Sequence, residues 1–369
     1  MRGLIRSIII NIANLRSLFF WDIKKRDPKK ILIAHDLLLG DTLLLAPLMK
    51  RIQEKYPNAQ KYVLAKTSFV PLFRNTPYGF KVLSFNPKSF LSVWRIFCEG
   101  PYDLAFIAGD NRYSWLARAA DSRWVIGIEG DTPSWKNWMV DEAKSFDIKP
   151  ATWADMMGRL VDGKDPEPYQ KNEWSRPPVK KLLLPIDASK PYVVCHLGAS
   201  NKLKFWPAKS WQILIQKLKH EGFDIFISVG PGEEYLIREV DPNGECQHVP
   251  GIYSLLEMWS LIEHAKLLIS VDTGIAHLAK LSNIQAVTLF GPGSPVTHGV
   301  GKFWKSSSHA DITESYFYCR NQAILFRRKL DWVKRCGRSF GECKTPGACM
   351  EVITPKEVIY ILHKKNLLS

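Results

Sequence analysis

An aspartate, a threonine and a glycine stand together as Asp272-Thr273-Gly274, within the stretch SVDTGIAHLAKL at residues 270–281. Aspartic proteases carry such a triplet twice in an all-β setting, whereas this chain has it once, between a strand-like run and a helix-like run, which argues against proteolysis. At a junction of this kind, unpaired N–H groups and the positive helix end bind phosphate, and Gly274 lets a ligand approach the backbone. The alternative is a plain helix cap made by Asp272 or Thr273.

Three further junctions place small or charged residues where a strand-like run gives way to a helix-like run. The loop CHLGASNKLKFWPAKSW at 195–211 carries Ser200, Lys202 and Lys204, and a lysine there would meet a diphosphate as a point charge. The loop LFGPGSPVTHG at 289–299 is rich in glycine and proline and is predicted to be a rigid support for a nucleotide. Ordinary turns and solvated lysines are the alternatives.

The junction HDLLLGDTLLLAPL at 35–48 is the first along the chain and carries Gly40 and Asp41. A carboxylate in this position is suited to take a proton from an incoming hydroxyl group. Its alternative role is a helix N-cap.

The seven cysteines include four late ones, at 319, 336, 343 and 349. No C-x2-C pair is among them, so reduced, buried thiols are favoured over a zinc site, and no metal is predicted. The odd number and the lack of a secretory signal indicate a reducing compartment.

The elements that must position these junctions follow from the hydrophobic pattern. Residues 30–65 predict a strand, a helix and a second strand, and further strands are predicted at 103–108 and 123–128. After a polar, proline-containing linker at 162–185, strands are predicted at 192–196, 223–230, 265–272 and 283–291. The pattern predicts two doubly wound α/β domains, in which ligands bind beyond the carboxyl ends of the strands.

The composition adds a strongly basic charge. Lysine and arginine total 51 against 36 acidic residues, a net charge of +15, which indicates an anionic partner such as nucleic acid, a phosphorylated ligand or an anionic membrane. Near the start, one face of a predicted helix carries the apolar residues Ile5, Ile8, Ile12 and Phe19. Arg6 and Arg16 interrupt this stretch before it is long enough to span a membrane. This segment is predicted either to lie in a membrane interface or to pack on the protein's own surface.

Taken together, LLLGDTLLLAPLMKRIQEKYP, HLGASNKLKFWP, VGPGEE, SVDTGIAHLA and LFGPGSP resemble the lipopolysaccharide heptosyltransferases, glycosyltransferase family 9. The tail KRCGRSFGECKTPGACMEVITPKEV resembles the cysteine-bearing end of that family. The resemblance implies a GT-B fold, with two Rossmann-like domains facing across a cleft. The implied parts are an N-terminal amphipathic segment (1–29), an acceptor domain (30–175), a nucleotide-sugar domain (176–350) and a C-terminal helix that packs back on the N-terminal domain (351–369).

The activity implied by the resemblance is inverting transfer of L-glycero-D-manno-heptose from ADP-heptose to Kdo-lipid A or to inner-core heptose. It would take place in the cytoplasm, peripherally on the inner face of the inner membrane, with no cofactor and no metal. The stretch before Lys30 resembles the extended enzymes that add the first heptose. Whether Kdo or heptose is the acceptor is left open.

The family motifs also imply roles for single residues. Asp41 resembles the general base, Lys204 rather than Lys202 the phosphate contact, and Glu233 the acid that holds the ribose. The full implied donor set is Gly40, Ser200, Lys204, Glu233, Asp272, Thr273, Gly274, His277 and Gly291. The chain departs from the family at Trp153, where many members carry histidine.

Basic residues in or near loops after the first-domain strands are the candidate contacts of an anionic acceptor. These are Lys66, Arg74, Arg112 and Arg123.

Two other functions stay open on the sequence alone. One is a GT-B transferase that uses another nucleotide sugar, and the other is a non-catalytic basic protein that binds membrane or nucleic acid. The resemblance predicts no nucleic-acid partner.

Overall fold

The computed structural model describes residues 27–146, 149–179 and 190–368. The chain divides into two compact units. Unit 1 contains the residues up to Glu167 together with Ile324–Leu330, and unit 2 contains Pro168–Ala323 and the residues from Asp331 onward. Most of the amphipathic segment predicted at 1–29 lies outside the described residues. Among the helices that are described, none is long and apolar enough to cross a membrane.

Unit 1 is built on one six-stranded sheet in the order β3-β2-β1-β4-β5-β6, and every neighbouring pair is parallel. Its strands are β1 Lys30–Ala34, β2 Gln60–Ala65, β3 Phe80–Ser84, β4 Leu104–Ile107, β5 Trp124–Ile128 and β6 Glu142–Lys144. The central strands β1 and β4 are buried runs of apolar residues, because helices cover both faces of a parallel sheet.

The helices of unit 1 lie between or after its strands in the sequence. They are α1 Leu39–Leu43, α2 Ala46–Lys55, α3 Phe90–Glu99, α4 Tyr113–Ala119 and α5 Trp153–Gly158. Short 3-10 turns lie at Thr67–Phe73, Pro77–Gly79 and Ser134–Asn137. Pro47 suits the first turn of α2, where its missing N–H costs no hydrogen bond, and Met49 and Ile52 face the core.

Unit 2 repeats the same plan. Its parallel strands are β7 Tyr192–His196, β8 Asp224–Ser228, β9 Gln247–Val249, β10 Leu267–Val271, β11 Gln285–Leu289 and β12 His309–Ile312. The order β12-β11-β10-β7-β8-β9 is the Rossmann order read from the other edge. The predicted fold class of two doubly wound α/β domains is confirmed. In each sheet the strand order reverses at one switch point, between β1 and β4 and between β7 and β10.

The helices of unit 2 cover both faces of its sheet. They are α6 Ala208–His220, α7 Tyr235–Val240, α8 Leu255–Glu263, α9 Gly274–Ser282, α10 Pro295–His298, α11 Ala348–Glu351 and α12 Pro355–Lys364. Short 3-10 turns lie at Lys202–Lys204 and Phe340–Glu342. Trp211, Leu214 and Leu218 form the buried stripe of α6, as the helical period requires.

The last helix corrects one expectation. Val358 and Leu362 of α12 are fully buried in the core of unit 2. His363 of α12 lies 3.2 Å from Glu221 at the end of α6, and the Trp206 indole donates to the carbonyl of Ile353 at 2.8 Å. The contacts of this helix are therefore with unit 2, and the prediction that it packs back on the N-terminal domain is wrong for these side chains.

The boundary between the units lies eight residues earlier than predicted, after Glu167 rather than after Ser175. The Tyr169 hydroxyl donates to the carbonyl of Leu281 at 2.9 Å, and Trp174 is 1% exposed. Two aromatic side chains of the predicted linker thus belong to the core of unit 2.

A hairpin joins unit 1 from late in the sequence. Strands β13 Ile324–Leu325 and β14 Arg328–Lys329 pair antiparallel, and this segment belongs to unit 1 although unit 2 residues flank it on both sides. The two turn residues, Phe326 and Arg327, have φ of 45° and 64°. Such turns favour asparagine and glycine, so two bulky residues are held here by their surroundings.

Candidate functional site

The switch point of the second sheet brings two predicted residues together. Lys204 lies in the loop after β7 and Asp272 directly follows β10, which pairs with β7. The Lys204 ammonium lies 2.8 Å from Asp272 Oδ2 and donates to the Asp272 carbonyl at 3.0 Å. Lys202, the other lysine of the loop, is exposed.

The Asp272 carboxylate is ionised in spite of its burial. Burial by itself raises the pKa of this carboxyl, but the charge of Lys204 and its hydrogen bond, with a smaller contribution from Arg335, outweigh burial, so the pKa lies below its ordinary value. Asp272 is 8% exposed. A charged carboxylate therefore fixes the direction of Lys204 at the edge of the sheet.

The helix that follows Asp272 presents its first amides at the same edge. Thr273 is the N-cap of α9, and its side chain makes no capping hydrogen bond. Thr273 and Gly274 are both half-buried, so ligand atoms can reach them. The sequence left a plain helix cap as the alternative to a phosphate site, and the Thr273 hydroxyl does not make that cap. The start of α9 is therefore suited to bind an anion.

Glu233 links the loops that follow β7 and β8. Its carboxylate accepts from the Gly230 amide at 2.8 Å and also from the amide of Ala199. Burial raises its pKa, and the two amide bonds oppose that rise only in part. A methyl group on Gly198 would overlap this carboxylate, so glycine is needed there to admit it.

The glycines of the loop after β11 have different neighbours. A side chain on Gly291, which was predicted to contact the donor, would collide with Met350 in the core. A side chain on Gly293 would instead collide with Oδ2 of Asp272. Gly293, two residues further on, is the one that borders the charged pair.

The remaining donor candidates differ in exposure. Ser200 is exposed in the loop after β7. His277, one turn into α9, is 5% exposed, and its Nδ1 has no hydrogen-bond partner in the described part of the chain. Burial holds its pKa well below the ordinary value, so the ring is neutral. Its position favours support of the helix start over direct contact with a ligand.

The cysteine-bearing tail borders this site, which sequence reasoning did not predict. The Cys336 amide donates to the carbonyl of Pro292 at 2.8 Å, and the Asn201 side chain donates to the carbonyl of Arg338 at 3.3 Å. Arg335 contributes positive charge to Asp272. The basic run KRCGR at 334–338 is the sequence feature that could have indicated these residues.

All seven cysteines are free thiols, and Cys336 and Cys349 are buried. Across the described residues no group of three or more histidine, cysteine or acidic side chains is arranged to hold a metal ion. Burial raises the pKa of Cys349 to about 11, so this thiol is protonated at neutral pH.

In unit 1, Asp41 lies at the carboxyl edge of the sheet. It occupies the first turn of α1 and is half-buried, as is Gly40. The N-cap of this helix is Leu38, so the alternative role of Asp41 as an N-cap is excluded. Beneath it His35 is buried, and its Nδ1 accepts from the Leu37 amide at 3.2 Å.

Of the four acceptor candidates, three lie after strands of unit 1. Lys66 follows β2 and lies 3.8 Å from Asp36, and Arg74 is exposed beyond the next turn. Arg112 follows β4 and pairs with Asp110 at 2.8 Å. These positions agree with the strand-end rule.

Arg123 is at the wrong edge of the sheet for this role. It precedes β5, and its guanidinium pairs with Asp103 at 3.1 Å. Asp103 precedes β4 and also accepts from the Lys30 amide at the start of β1, at 3.0 Å. Because parallel strands begin at the same edge, Arg123 lies opposite the ligand edge, and its prediction as an acceptor contact is wrong.

A buried network of charges anchors the hairpin to the ligand edge. The Arg328 guanidinium is 3% exposed and donates to the carbonyls of Gly109 at 2.6 Å, Glu129 at 2.8 Å and Ile128 at 3.0 Å. Asp131 lies 3.5 Å from Arg328. Strand-end carbonyls and one carboxylate therefore hold this cation.

Trp153 supports the hairpin from the other side. It is fully buried, and its ring packs on Phe326 with centroids 4.0 Å apart. A side chain at Gly109 would crowd Leu37 and contact Phe326. Trp153 thus holds a turn at the carboxyl edge of unit 1.

Comparison with known proteins identifies the class of this architecture. A family 9 glycosyl transferase from Veillonella parvula superposes with a TM-score of 0.70 at 16% identity, over 92% of this chain and 98% of that one. The E. coli heptosyltransferase WaaC with ADP superposes with a TM-score of 0.64 at 16% identity, over 92% and 98%. The two Rossmann-like units therefore have the fold of GT-B glycosyltransferases.

The sequence comparison is more specific. Residues 90–315 match the model of glycosyltransferase family 9 (heptosyltransferase). Lipopolysaccharide heptosyltransferase 3 of E. coli is 24% identical over 295 residues, which cover 72% of this chain and 86% of that protein. The chain belongs to glycosyltransferase family 9 and is a glycosyltransferase.

Proposed function

We propose that this enzyme transfers L-glycero-D-manno-heptose from ADP-heptose to Kdo-lipid A or to inner-core heptose of lipopolysaccharide, with inversion at the anomeric carbon. The observation that carries the proposal is the Lys204–Asp272 pair at the switch point of unit 2, 2.8 Å apart, on residues that match the family motif. The similar E. coli WaaC structure is described with ADP, which supports an adenine nucleotide as donor.

The donor site is assigned to unit 2. Lys204, the hydroxyl of Thr273 and the first amides of α9 would hold the diphosphate, since Thr273 makes no cap of its own. Ser200 and Gly274 are accessible to the same ligand. As the bond to the anomeric carbon breaks, negative charge grows on the departing ADP, and donors already aimed at it stabilise that charge.

Glu233 is assigned to the ribose. A carboxylate that accepts from two backbone amides is fixed in place and has further lone pairs for hydroxyl groups. Its contacts with the loops after β7 and β8 hold both loops at the ligand edge.

Asp41 is assigned as the general base. Its half-buried carboxylate would take the proton of the acceptor hydroxyl as that oxygen attacks the heptose on the face opposite ADP. A carboxylate is a weak base, so it accepts the proton late, when the new bond has already acidified the hydroxyl group.

The acceptor contacts are assigned to Lys66, Arg74 and Arg112, because these cations lie beyond strand ends of unit 1. Kdo carboxylates and lipid A phosphates are anionic, which suits them. A lipid-linked acceptor also implies that the enzyme works peripherally on the cytoplasmic face of the inner membrane. The net charge of +15 is consistent with such a surface.

The test is a transfer assay with ADP-heptose and two defined acceptors, Kdo-lipid A and its heptosylated form, followed by mass spectrometry of the lipid. We expect a single heptose to be added to one of the two. Parallel reactions replace ADP-heptose by ADP- and UDP-hexoses. Transfer from a nucleotide hexose, without transfer from ADP-heptose, would show that the proposed donor is wrong. No transfer and no thermal stabilisation by ADP would remove the proposed function.

A further inference from the structure

Helix α3 carries a large apolar surface on its outer face. Its inner residues Val93, Ile96 and Phe97 pack into the core of unit 1. On its outer side Phe90 is 79% exposed, Leu91 is 60% exposed and Trp94 is 51% exposed. The rings of Phe90 and Trp94 are stacked, with centroids 6.1 Å apart.

This cluster differs from ordinary surface apolar residues. Isolated exposed leucines are common and need no explanation. Here three large apolar side chains lie within five positions of one helix, on the side away from Ile96, the residue that this helix buries in the core. An apolar patch of this type marks an interaction surface.

The chain that leads into α3 and runs through most of the helix is basic, and the first acidic residue is Glu99, at the last position of the helix. Residues 55–98 contain no aspartate or glutamate and seven basic residues, Lys55, Lys61, Lys66, Arg74, Lys81, Lys88 and Arg95. Lys88 lies just before the helix, Arg95 lies on its outer face beside Trp94, and both are exposed. Aromatic and aliphatic anchors flanked by basic residues are typical of helices that lie in a membrane interface.

The position of the patch fits a lipid-linked acceptor. Helix α3 follows β3, so its first turns, with Phe90, Leu91 and Trp94, lie toward the carboxyl edge of the sheet. Asp41 follows β1 at that same edge. An enzyme that reaches a sugar on a lipid needs its membrane contact on this side of unit 1.

The charge also decides against a second copy of this chain as the occupant. Two identical patches in contact would bring Lys88 and Arg95 of one copy toward the same cations of the other, and like charges at an interface are unfavourable. An anionic lipid surface is complementary to both the cations and the apolar side chains.

We propose that the outer face of α3 docks unit 1 on an anionic lipid surface, with Phe90, Leu91 and Trp94 inserted among the lipids and with Lys88 and Arg95 at the lipid phosphates. The proposal rests on the proposed function in that the acceptor is taken to be lipid-linked. Docking itself requires neither donor nor catalysis.

The test is sedimentation of the full chain with vesicles of phosphatidylethanolamine and phosphatidylglycerol, and with vesicles of phosphatidylcholine alone. We expect the first to bind more tightly. One variant combines Leu91→Ser with Trp94→Ser, and another combines Lys88→Glu with Arg95→Glu. Each should lower the partition onto anionic vesicles roughly tenfold or more.

The matched controls lie in unit 2, where Ile252 is 84% exposed and Lys209 is exposed. Ile252→Ser and Lys209→Glu should leave vesicle binding unchanged. Unchanged binding by both α3 variants would overturn the proposal and would place the membrane contact elsewhere in the chain. The same holds if the Leu91→Ser, Trp94→Ser variant only converts a dimer into monomers while vesicle binding persists.

The activity measurements separate this inference from the proposed function. The α3 variants should transfer at the wild-type rate to a water-soluble, deacylated acceptor and more slowly to the acceptor embedded in vesicles. If the wild type transfers to neither acceptor while vesicle binding depends on α3, the proposed function fails and the docking surface stands. Equal rates on embedded acceptor for wild type and variants would overturn the docking surface.

Discussion

The ammonium of Lys204 is held twice by Asp272, through the carboxylate at 2.8 Å and through the backbone carbonyl at 3.0 Å. An ammonium group has three donors, so these contacts use two of them and direct the third. The lysine is thereby fixed at the switch point of unit 2 before any ligand arrives. A donor that is already oriented contributes more to catalysis than one that must be ordered during the reaction.

Lys204→Ala should lower kcat/KM for the donor sugar by roughly 100- to 1,000-fold, because the charge that stabilises the departing diphosphate is lost. Lys202→Ala is the matched control, since that lysine lies two positions earlier in the same loop and is exposed. It should retain near-normal kinetics. Equal losses in the two variants would show that Lys204 has no special role.

Asp41→Asn should reduce kcat by about two to four orders of magnitude, because the amide keeps the shape of the side chain but cannot accept the acceptor's proton. The affinity for ADP, measured by calorimetry, should stay unchanged, since the nucleotide is assigned to unit 2. Near-normal turnover in this variant would remove Asp41 from the mechanism.

Gly293→Ala should displace the carboxylate of Asp272, because the added methyl group would overlap Oδ2. A displacement of this kind costs roughly 100-fold in the rate of a reaction that depends on oriented groups. Gly341→Ala serves as control, since a methyl group there meets no atom within 4 Å. Steady-state kinetics of both variants decide the question, and a fully active Gly293→Ala enzyme would contradict the prediction.

Arg328→Ala should destabilise unit 1 by about 2–4 kcal/mol, because the carbonyl groups of Gly109 and Glu129 would lose their buried donor and Asp131 would keep Lys136 as its one buried cation among the described contacts. Arg328→Lys should rescue little, since an ammonium cannot reproduce the planar fork of the guanidinium. Arg327→Ala, at the exposed neighbour, should change the free energy of unfolding by less than about 0.5 kcal/mol. Denaturant unfolding of the three variants measures these differences, and equal stabilities of the Arg327 and Arg328 variants would refute the anchor.

Asp311→Asn should stabilise the protein at alkaline pH. Burial raises the pKa of Asp311 to about 6, although Lys280 opposes that rise. The folded state therefore holds this proton more tightly than the unfolded chain, and the stability gained by protonation is lost as the pH rises through about 6. Above that pH the ionised carboxylate costs roughly 3 kcal/mol, which the amide avoids.

Urea unfolding of wild type and Asp311→Asn near pH 8 and near pH 4.5 tests this, with roughly equal stabilities expected only at the lower pH. Asp224→Asn, at an exposed position on β8, is the control and should show no such dependence. A variant that is less stable than wild type at pH 8 would contradict the prediction.

The central strands were predictable from sequence, and the edge strands were not. The strand predicted at 192–196 is β7 itself, and the others predicted for unit 2 enclose β8, β10 and β11. Central parallel strands are buried on both faces and therefore read as continuous apolar runs. The edge strands β6 and β9, with sequences EAK and QHV, carry polar residues and give no such signal.

The sequence predicted which loops form the candidate site, because these loops follow strand ends. It did not predict which residues of those loops point toward the site. The rule that ligands bind beyond carboxyl ends selected Asp272 and the loop with Lys202 and Lys204, and the family motif singled out Lys204. The structure brings Lys204 and Asp272 together. The choice of Arg123 did not follow this rule, because Arg123 stands at the start of the strand predicted at 123–128 and directly precedes β5. Nothing in the string GPG tells which glycine faces Asp272.

The local sequence could not predict the packing of the C-terminal helix or the conformation of the hairpin, because both depend on residues that are distant in sequence. The sequence of an amphipathic helix shows which face is apolar but not which surface covers that face. Val358 and Leu362 pack into the core of unit 2. The hairpin turn uses Phe326 and Arg327 in place of the usual asparagine and glycine. Its conformation is determined by Trp153 and by the buried cation, which are distant in sequence.

Because the hairpin is synthesised late, unit 1 gains its last stabilising contacts late in translation. A growing chain has all six strands of its first sheet once residue 144 has been made, but the guanidinium that satisfies the carbonyl groups of Gly109 and Glu129 comes only with residue 328. Until then water must solvate those carbonyl groups on the nascent protein. The first half of the polypeptide thus reaches its final stability only after the ribosome has synthesised most of the second.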